Sequence, residues 1–293
     1  NNTDKQTISL AEKLLNTVEG NICPSVAAMI PAATGEGTIA GLRLLSNRKS
    51  TTNANIVIEQ IKNGASPDVK NAAYAVLKNM VSAEDLPTLY NLLENAAEEA
   101  VPSVQQAIIA AMNDIPAANR LGTVSAQMGK TDKNKQYLYY PVLASTGDIK
   151  ALNLISDSFD KQTGVAKDAA FQALLDWKGR DVADQLLDIC KDTSSSIYFD
   201  RALGRYVQLA SDASLTGENR RLFLTNALEI AKADGQKNSI LKLLGHTNSY
   251  LAMLLAGQYL DSKPVQESAA QAVMNIALNN KSFTGNAVKA LLN

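Results

Sequence analysis

The chain repeats itself, and that limits its possible folds more than any other feature. Pro67-Asp-Val-Lys-Asn-Ala72-Ala-Tyr-Ala75-Val-Leu77 returns 35 positions later as Pro102-Ser-Val-Gln-Gln-Ala107-Ile-Ile-Ala110-Ala-Met112. A third copy starts at Pro264 and keeps Ala269, Ala272 and Met274 at the same steps. A fourth has Gly164 in place of proline and keeps Ala169 and Leu174. A period of this length marks an array of helix pairs, each too small to bury its apolar face alone. The array predicts burial of Ala72, Ala107, Ala169 and Ala269 where helices approach most closely.

Start and stop signals divide the chain further. Ser66 can cap the orphan N–H groups of a helix whose first position is Pro67, where a missing N–H costs nothing. Val69, Ala72, Ala73, Val76 and Leu77 then form an apolar stripe at steps of three and four, with Lys70 and Asn71 facing away. A turn at Ser82–Asp85 leads into Leu86, Leu89, Leu92 and Leu93, and the short connection predicts that these two helices pair antiparallel. Gly147-Asp148 and Asn248-Ser249 supply further stop and cap signals, 101 positions apart. Strand signals are essentially missing, since no Asn-Gly or Asp-Gly turn separates alternating apolar runs. The expected fold is all-α: about eight antiparallel helix pairs across 24–278, with one helix left over at each end.

The pattern Pro-x-Val-x-x-Ala-x-x-Ala-x-Leu, with its Gly-Asp turns and leucine-rich second helices, resembles the HEAT-like repeats of bacterial α-solenoids. The resemblance covers nearly the whole chain and implies one right-handed α-α superhelix of the HEAT/armadillo kind over 1–293. Family repeats often carry Arg directly after the Val. This chain has Lys70 and Gln105 there, so an electrostatic ladder on that position is not expected. HEAT arrays serve many unrelated tasks, so the fold implies no single activity.

Composition narrows the function. The chain is 46% hydrophobic but only 5% aromatic, which suits close helix packing through Ala, Leu, Ile and Val. No apolar run is long enough to span a membrane. With 28 basic and 29 acidic residues the net charge is −1, without the basic excess that phosphate binding requires, so no nucleic-acid partner is expected. Cys23 and Cys190 read as buried small hydrophobes. His246 is the single histidine, so neither a histidine-rich metal site nor a Ser-His-Asp triad is expected. Glu94, Glu98 and Glu99 read as a solvated acidic face. Thr34-Gly-Glu-Gly37 lacks the lysine and the further glycine of a phosphate loop. No cofactor is expected.

Two aromatic groups are candidates for recognition. Tyr137, Tyr139 and Tyr140 crowd before Pro141, which should delay a helix. Tyr198, Phe199, Arg201, Arg205 and Tyr206 share another segment, with Arg201 and Arg205 on one helix face. In HEAT arrays the second helix of each repeat lines the concave surface, and both groups are assigned to second helices. Tyr137, Tyr140, Tyr198, Arg201 and Arg205 are therefore the expected binding residues, of types common at binding hot spots. The other reading places the tyrosines in the core and pairs the arginines with Asp200 or nearby carboxylates.

Three functions compete. The first is a non-catalytic interaction or scaffold module for a protein or peptide, which could be another domain of the same chain. The second follows from resemblance: similar solenoids precede keto-glycoside hydrolase-like domains in exported bacterial proteins. The apolar end Leu291-Leu292-Asn293 without a stop signal predicts continuation into a longer multidomain protein, with Leu291 and Leu292 unpartnered here. The third is an enzyme of the HEAT-like DNA glycosylase or bilin lyase kind. A net charge of −1 and a single tryptophan oppose the glycosylase.

Overall fold

The structure is a computed structural model and describes residues 4–292. Among the described residues there are 18 α-helices and no strand. The chain forms two compact units, Asn1–Asp176 and Trp177–Asn293.

The first unit contains α1 (Lys5–Thr17), α2 (Cys23–Met29), α3 (Gly35–Asn47), α4 (Ala54–Asn63), α5 (Pro67–Leu77) and α6 (Leu86–Glu94). It continues with α7 (Val101–Ala111), α8 (Ala117–Met128), α9 (Tyr140–Ser145), α10 (Ile149–Lys161) and α11 (Gly164–Leu175). The odd-numbered helices form a continuous row in which each touches the next, α1 through α11. The even-numbered helices α2 to α10 each pack on the odd helix that follows. The first recurring unit is built as its signals predict. Ser66 Oγ accepts from the Val69 N–H at 3.3 Å, Pro67 opens α5, and Val69, Ala73, Val76 and Leu77 are buried. Leu86, Leu89, Leu92 and Leu93 of α6 are buried as well.

The pairing, however, is offset by one helix. The main contacts of α5 are with α3, α4 and α7, whereas α6 packs on α7. A short loop after α5 brings α6 near, but the broad apolar stripe of α5 faces α4 and its neighbours in the row. This offset places α9 in the same row as α5, rather than in a second-helix layer.

The second unit contains α12 (Ala183–Lys191), α13 (Phe199–Leu209), α14 (Gly217–Ile230), α15 (Asp234–Leu244), α16 (Tyr250–Gly257), α17 (Gln266–Asn279) and α18 (Asn286–Leu292). Here α13 packs on both α12 and α14, α15 on α14 and α17, and α17 on α16 and α18. Ser249 caps α16 by accepting from the Ala252 N–H at 3.1 Å. Trp177 is only 1% exposed, so its indole is part of the core.

The four sequence copies do not bury the same positions. Ala107 and Ala269 are fully buried, but Ala72 and Ala169 are only half-buried, and their neighbours Ala73 and Ala170 take the core positions. In α11, Phe171 rotates the stripe, its ring lying 5.9 Å from that of Phe159 on α10. At the third copy the helix begins at Gln266, two residues after Pro264. The stripe becomes Ser268, Ala269, Ala272, Val273 and Ile276, leaving Met274 at 49% exposure. A helix sets successive side chains about 100° apart, so a rotation of the helix against its neighbours changes which of two adjacent residues faces inward. Leu291 also has a partner: it packs against Gly257 of α16, and Val288 beside it is buried.

Arginines tie helix ends to neighbouring segments. Arg120, in the first turn of α8, donates to the carbonyls of Ile115 (2.9 Å) and Asn113 (3.2 Å). Arg220 of α14 does the same to Ala210 (2.8 Å) and Asp212 (3.3 Å). Arg48 donates to the carbonyls of Gly20, Leu15 and Val18 at 2.9, 2.8 and 2.5 Å. These carbonyls lie at or beyond a helix C-terminus, where backbone acceptors lack helical partners and the dipole favours a cation. The Arg48 contact matters most for α1, which buries none of its residues and rests on α3 beside an apolar cleft of about 220 Å³.

Candidate functional site

A cleft with convergent polar groups lies in the second unit, between α12 and α14, with a volume of about 490 Å³. Its construction follows from helical spacing. Asn219, Leu222, Phe223 and Asn226 stand at steps of three and four on α14, so they share one face. Opposite them are Arg180 and Asp181 in the 3-10 turn Arg180–Val182, followed by Asp184 and Leu187 of α12. Because α13 packs on both helices, its Tyr206 forms the floor.

Tyr206 is 2% exposed, and its phenol oxygen accepts from Asn226 Nδ2 at 3.2 Å. Its ring lies 5.2 Å from that of Phe223, inclined by 37°. Burial pushes the Tyr206 phenol above the ordinary tyrosine range. The hydrogen bond from Asn226 opposes this and the Asp184 charge adds to it, so the floor remains a neutral phenol at physiological pH. At the rim, Arg180 Nε pairs with Asp212 Oδ2 at 3.5 Å. Asp212 lies below the usual carboxylate range, chiefly because the Ser214 N–H and hydroxyl donate to it, with Arg180 and Arg220 adding to the effect. The carboxylates of Asp181 and Asp184 accept no hydrogen bond and join no ion pair among the described residues. The cleft thus offers open acceptors, an aromatic face and apolar side walls.

The residues expected from sequence lie elsewhere. Tyr137 is half-buried in the 3-10 segment Lys133–Tyr139, and Tyr140 is 4% exposed at the start of α9, both in the first unit. Tyr198 is half-buried and Arg201 exposed in the second unit. Arg205 is half-buried; it donates to the Trp177 carbonyl at 2.6 Å and to Gln208 Oε1 at 2.9 Å. Asp200 accepts from Gln236 Nε2 at 2.8 Å. Of the second aromatic group, Tyr206 is the member that reaches the cleft. Asp181, Asp184, Asn219, Phe223 and Asn226 were not singled out by sequence. The readable signal was the Asn-x-x-Leu-Phe-x-x-Asn face of α14, where polar groups flank an aromatic.

The acidic cluster also resolves differently from the expectation. Glu98 and Glu99 are exposed, but Glu94 is the hub of a network in the first unit. Its Oε1 accepts from Tyr139 Oη at 2.7 Å, Thr131 Oγ1 at 2.7 Å and Gln127 Nε2 at 3.3 Å. Lys135 Nζ donates to the Glu94 carbonyl at 2.7 Å. Burial raises the Glu94 pKa, but the three hydrogen bonds and the Lys135 charge outweigh it and hold the carboxyl below its ordinary range. The Tyr139 phenol is pushed strongly upward by burial and by its bond to the carboxylate. This network joins the end of α6 to α8 and the segment before α9.

His246 is exposed in the turn after α15, and Cys23 and Cys190 are buried free thiols. Among the described residues no group of three His, Cys, Asp or Glu could hold a metal ion, and no helix is long and apolar enough to cross a membrane.

No family model and no curated protein matches the chain. Among solved structures, a chain described as a computational design of self-assembling cyclic protein homo-oligomers is 12% identical. The match covers 98% of this chain and 96% of that one, with a TM-score of 0.15. At that score the likeness carries no argument.

Proposed function

We propose that the chain is a non-catalytic interaction module: a HEAT-like array of about eight helix pairs in a right-handed superhelix that receives a protein or peptide partner. The observation that carries this reading is the α12–α14 cleft. Its buried tyrosine floor, half-buried phenylalanine and two carboxylates without internal partners among the described residues converge on one cleft from α12, α13, α14 and the turn before α12. Aromatic anchors beside oriented polar groups are the usual content of a binding hot spot. The repeats supply the scaffold, and the cleft supplies the contact.

A library of random dodecapeptides displayed on phage, panned against the full chain, tests this reading. Selected peptides are expected to bind the wild type and to lose at least tenfold in affinity for a Phe223→Ala, Asn226→Ala double variant. Equal binding by the double variant would move the site off this cleft. Recovery of no binding peptide at high micromolar protein would remove the interaction reading.

A further inference from the structure

We infer that the α12–α14 cleft recognises an arginine side chain of its peptide partner, an inference that rests on the interaction-module reading and specifies it. Charge and hydrogen-bonding capacity in the cleft set the kind of ligand it can hold. Arg180 is the one cation among the lining residues, and it is already paired with Asp212. Asn226 uses its amide nitrogen on the Tyr206 phenol, which leaves its Oδ1 as an acceptor. Asp181 and Asp184 add two carboxylates on the opposite wall, and Asn219 adds another amide oxygen. Donors remain too, on Asn219 Nδ2, on the second Asn226 N–H and on the Arg180 guanidinium beyond its Nε, but the charge is net negative: two carboxylates against one guanidinium that already pairs with Asp212.

A complementary ligand must be rich in donors, cationic and partly apolar. Guanidinium has five N–H donors in one plane and no acceptor, and its face stacks on aromatic rings. The Phe223 ring, packed against Tyr206, stands on the α14 wall with Asn219 and Asn226, across from Asp181 and Asp184, and supplies the aromatic surface for such stacking. The arginine methylenes have Leu187, Leu215 and Leu222 to lie against. An ammonium group matches less well, because it is compact, strongly hydrated and has three donors from a single atom. A carboxylate or phosphate would meet Asp181 and Asp184 with like charge. Since both carboxylates are exposed, part of the attraction is screened by salt.

The test uses the full chain and the capped tripeptide acetyl-Ala-Arg-Ala-amide. The arginine is replaced in turn by citrulline, which keeps the shape without the charge, by lysine and by glutamine. Affinities are read by titration of ¹H–¹⁵N spectra, following the Asn219 and Asn226 side-chain amides. Binding of the arginine peptide is expected, with at least tenfold loss for citrulline and glutamine and severalfold loss for lysine. Raising salt from about 50 to 500 mM should weaken it severalfold, as screening of exposed charges requires. Asp184→Asn and Asp181→Asn, both at exposed positions, should each weaken it severalfold or more while melting temperature stays the same. Phe223→Leu keeps an apolar residue yet should also weaken it. Equal affinity for arginine and citrulline peptides, or no effect of either Asp variant, would overturn the inference. If the phage-selected peptides bind at the cleft without arginine enrichment, the inference fails and the interaction reading stands. If no displayed peptide binds at all, the reading fails first.

Discussion

Replacing Gly245 with alanine should destabilise the second unit, whereas the same change at Gly204 should stabilise it. Gly245 is buried at the C-cap of α15, with φ at −62°, a conformation any residue adopts. Backbone preference alone would therefore favour alanine by about 0.4–1 kcal/mol. The tertiary contact opposes this. A Cβ at Gly245 would lie 2.9 Å from Ala272 Cα and 3.3 Å from its Cβ, on the facing helix α17. The nearest atom is backbone, so no side-chain rotation relieves the clash, and α15 and α17 must separate. Overpacking of this kind costs about 1–3 kcal/mol, so the net loss should centre on about 1.3 kcal/mol and reach at most about 2.6 kcal/mol. At Gly204, within α13, an added Cβ meets no atom within 4 Å, so alanine should gain about 0.5–1 kcal/mol. Calorimetry of the two variants should show melting temperatures moving in opposite directions, by about 2–4 °C per kcal/mol. A neutral or stabilised Gly245→Ala protein would show that α15 and α17 are not in backbone contact. Destabilisation by Gly204→Ala would mean that the outer face of α13 is covered.

Ala107 is fully buried on α7, so Ala107→Leu should cost about 1–3 kcal/mol, measured by urea denaturation, while Ala75→Leu on the exposed side of α5 should cost little. Arg48→Ala removes three carbonyl contacts from the end of α1, a helix with no buried residue. Limited proteolysis between Thr17 and Asn21 should accelerate without a comparable change at other loops. Glu94 has a folded pKa below its unfolded value. Its contribution is thus complete above the unfolded carboxylate value of about 4.3 and is lost as pH falls through the lower folded value. Glu94→Gln should flatten that acid limb of a stability–pH profile, and an unchanged limb would show that Glu94 is not a contributor.

The local rules were legible in the sequence because each depends on a few consecutive residues. Ser66 before Pro67, Asp148 after Gly147 and Ser249 before the α16 leucines specify helix starts by satisfying orphan N–H groups, and each cap forms as written. Pro141 delays α9 behind a 3-10 run for the same local reason. The all-α class follows from this punctuation and from apolar residues recurring at helical steps. One recurrence passed unread: Asn119-Arg120 and Asn219-Arg220, a hundred positions apart, both place an arginine in a first turn to reach back to carbonyls before it.

The tertiary structure alone decided which helices pair, which copy buries which alanine, and where a ligand could enter. The Pro67 and Pro102 motifs are similar in sequence, yet Ala72 is half-buried and Ala107 fully buried, because burial depends on the rotation of each helix against its neighbours. Leu291 gained its partner only because Gly257 lies opposite it and lacks a side chain. The cleft joins Asp181 and Asp184 to Tyr206 and to Asn219–Asn226. The aromatic segment that holds Tyr206 stands out by itself, but the capped turn with Asp181 and Asp184 and the solvated face of α14 do not announce a site alone. Their meeting depends on α13 holding α12 and α14 on either side. Periodicity along a chain specifies that a helix has an apolar side, but which residues of that side turn inward, and where a gap opens between two helices, depend on the third helix against which they pack.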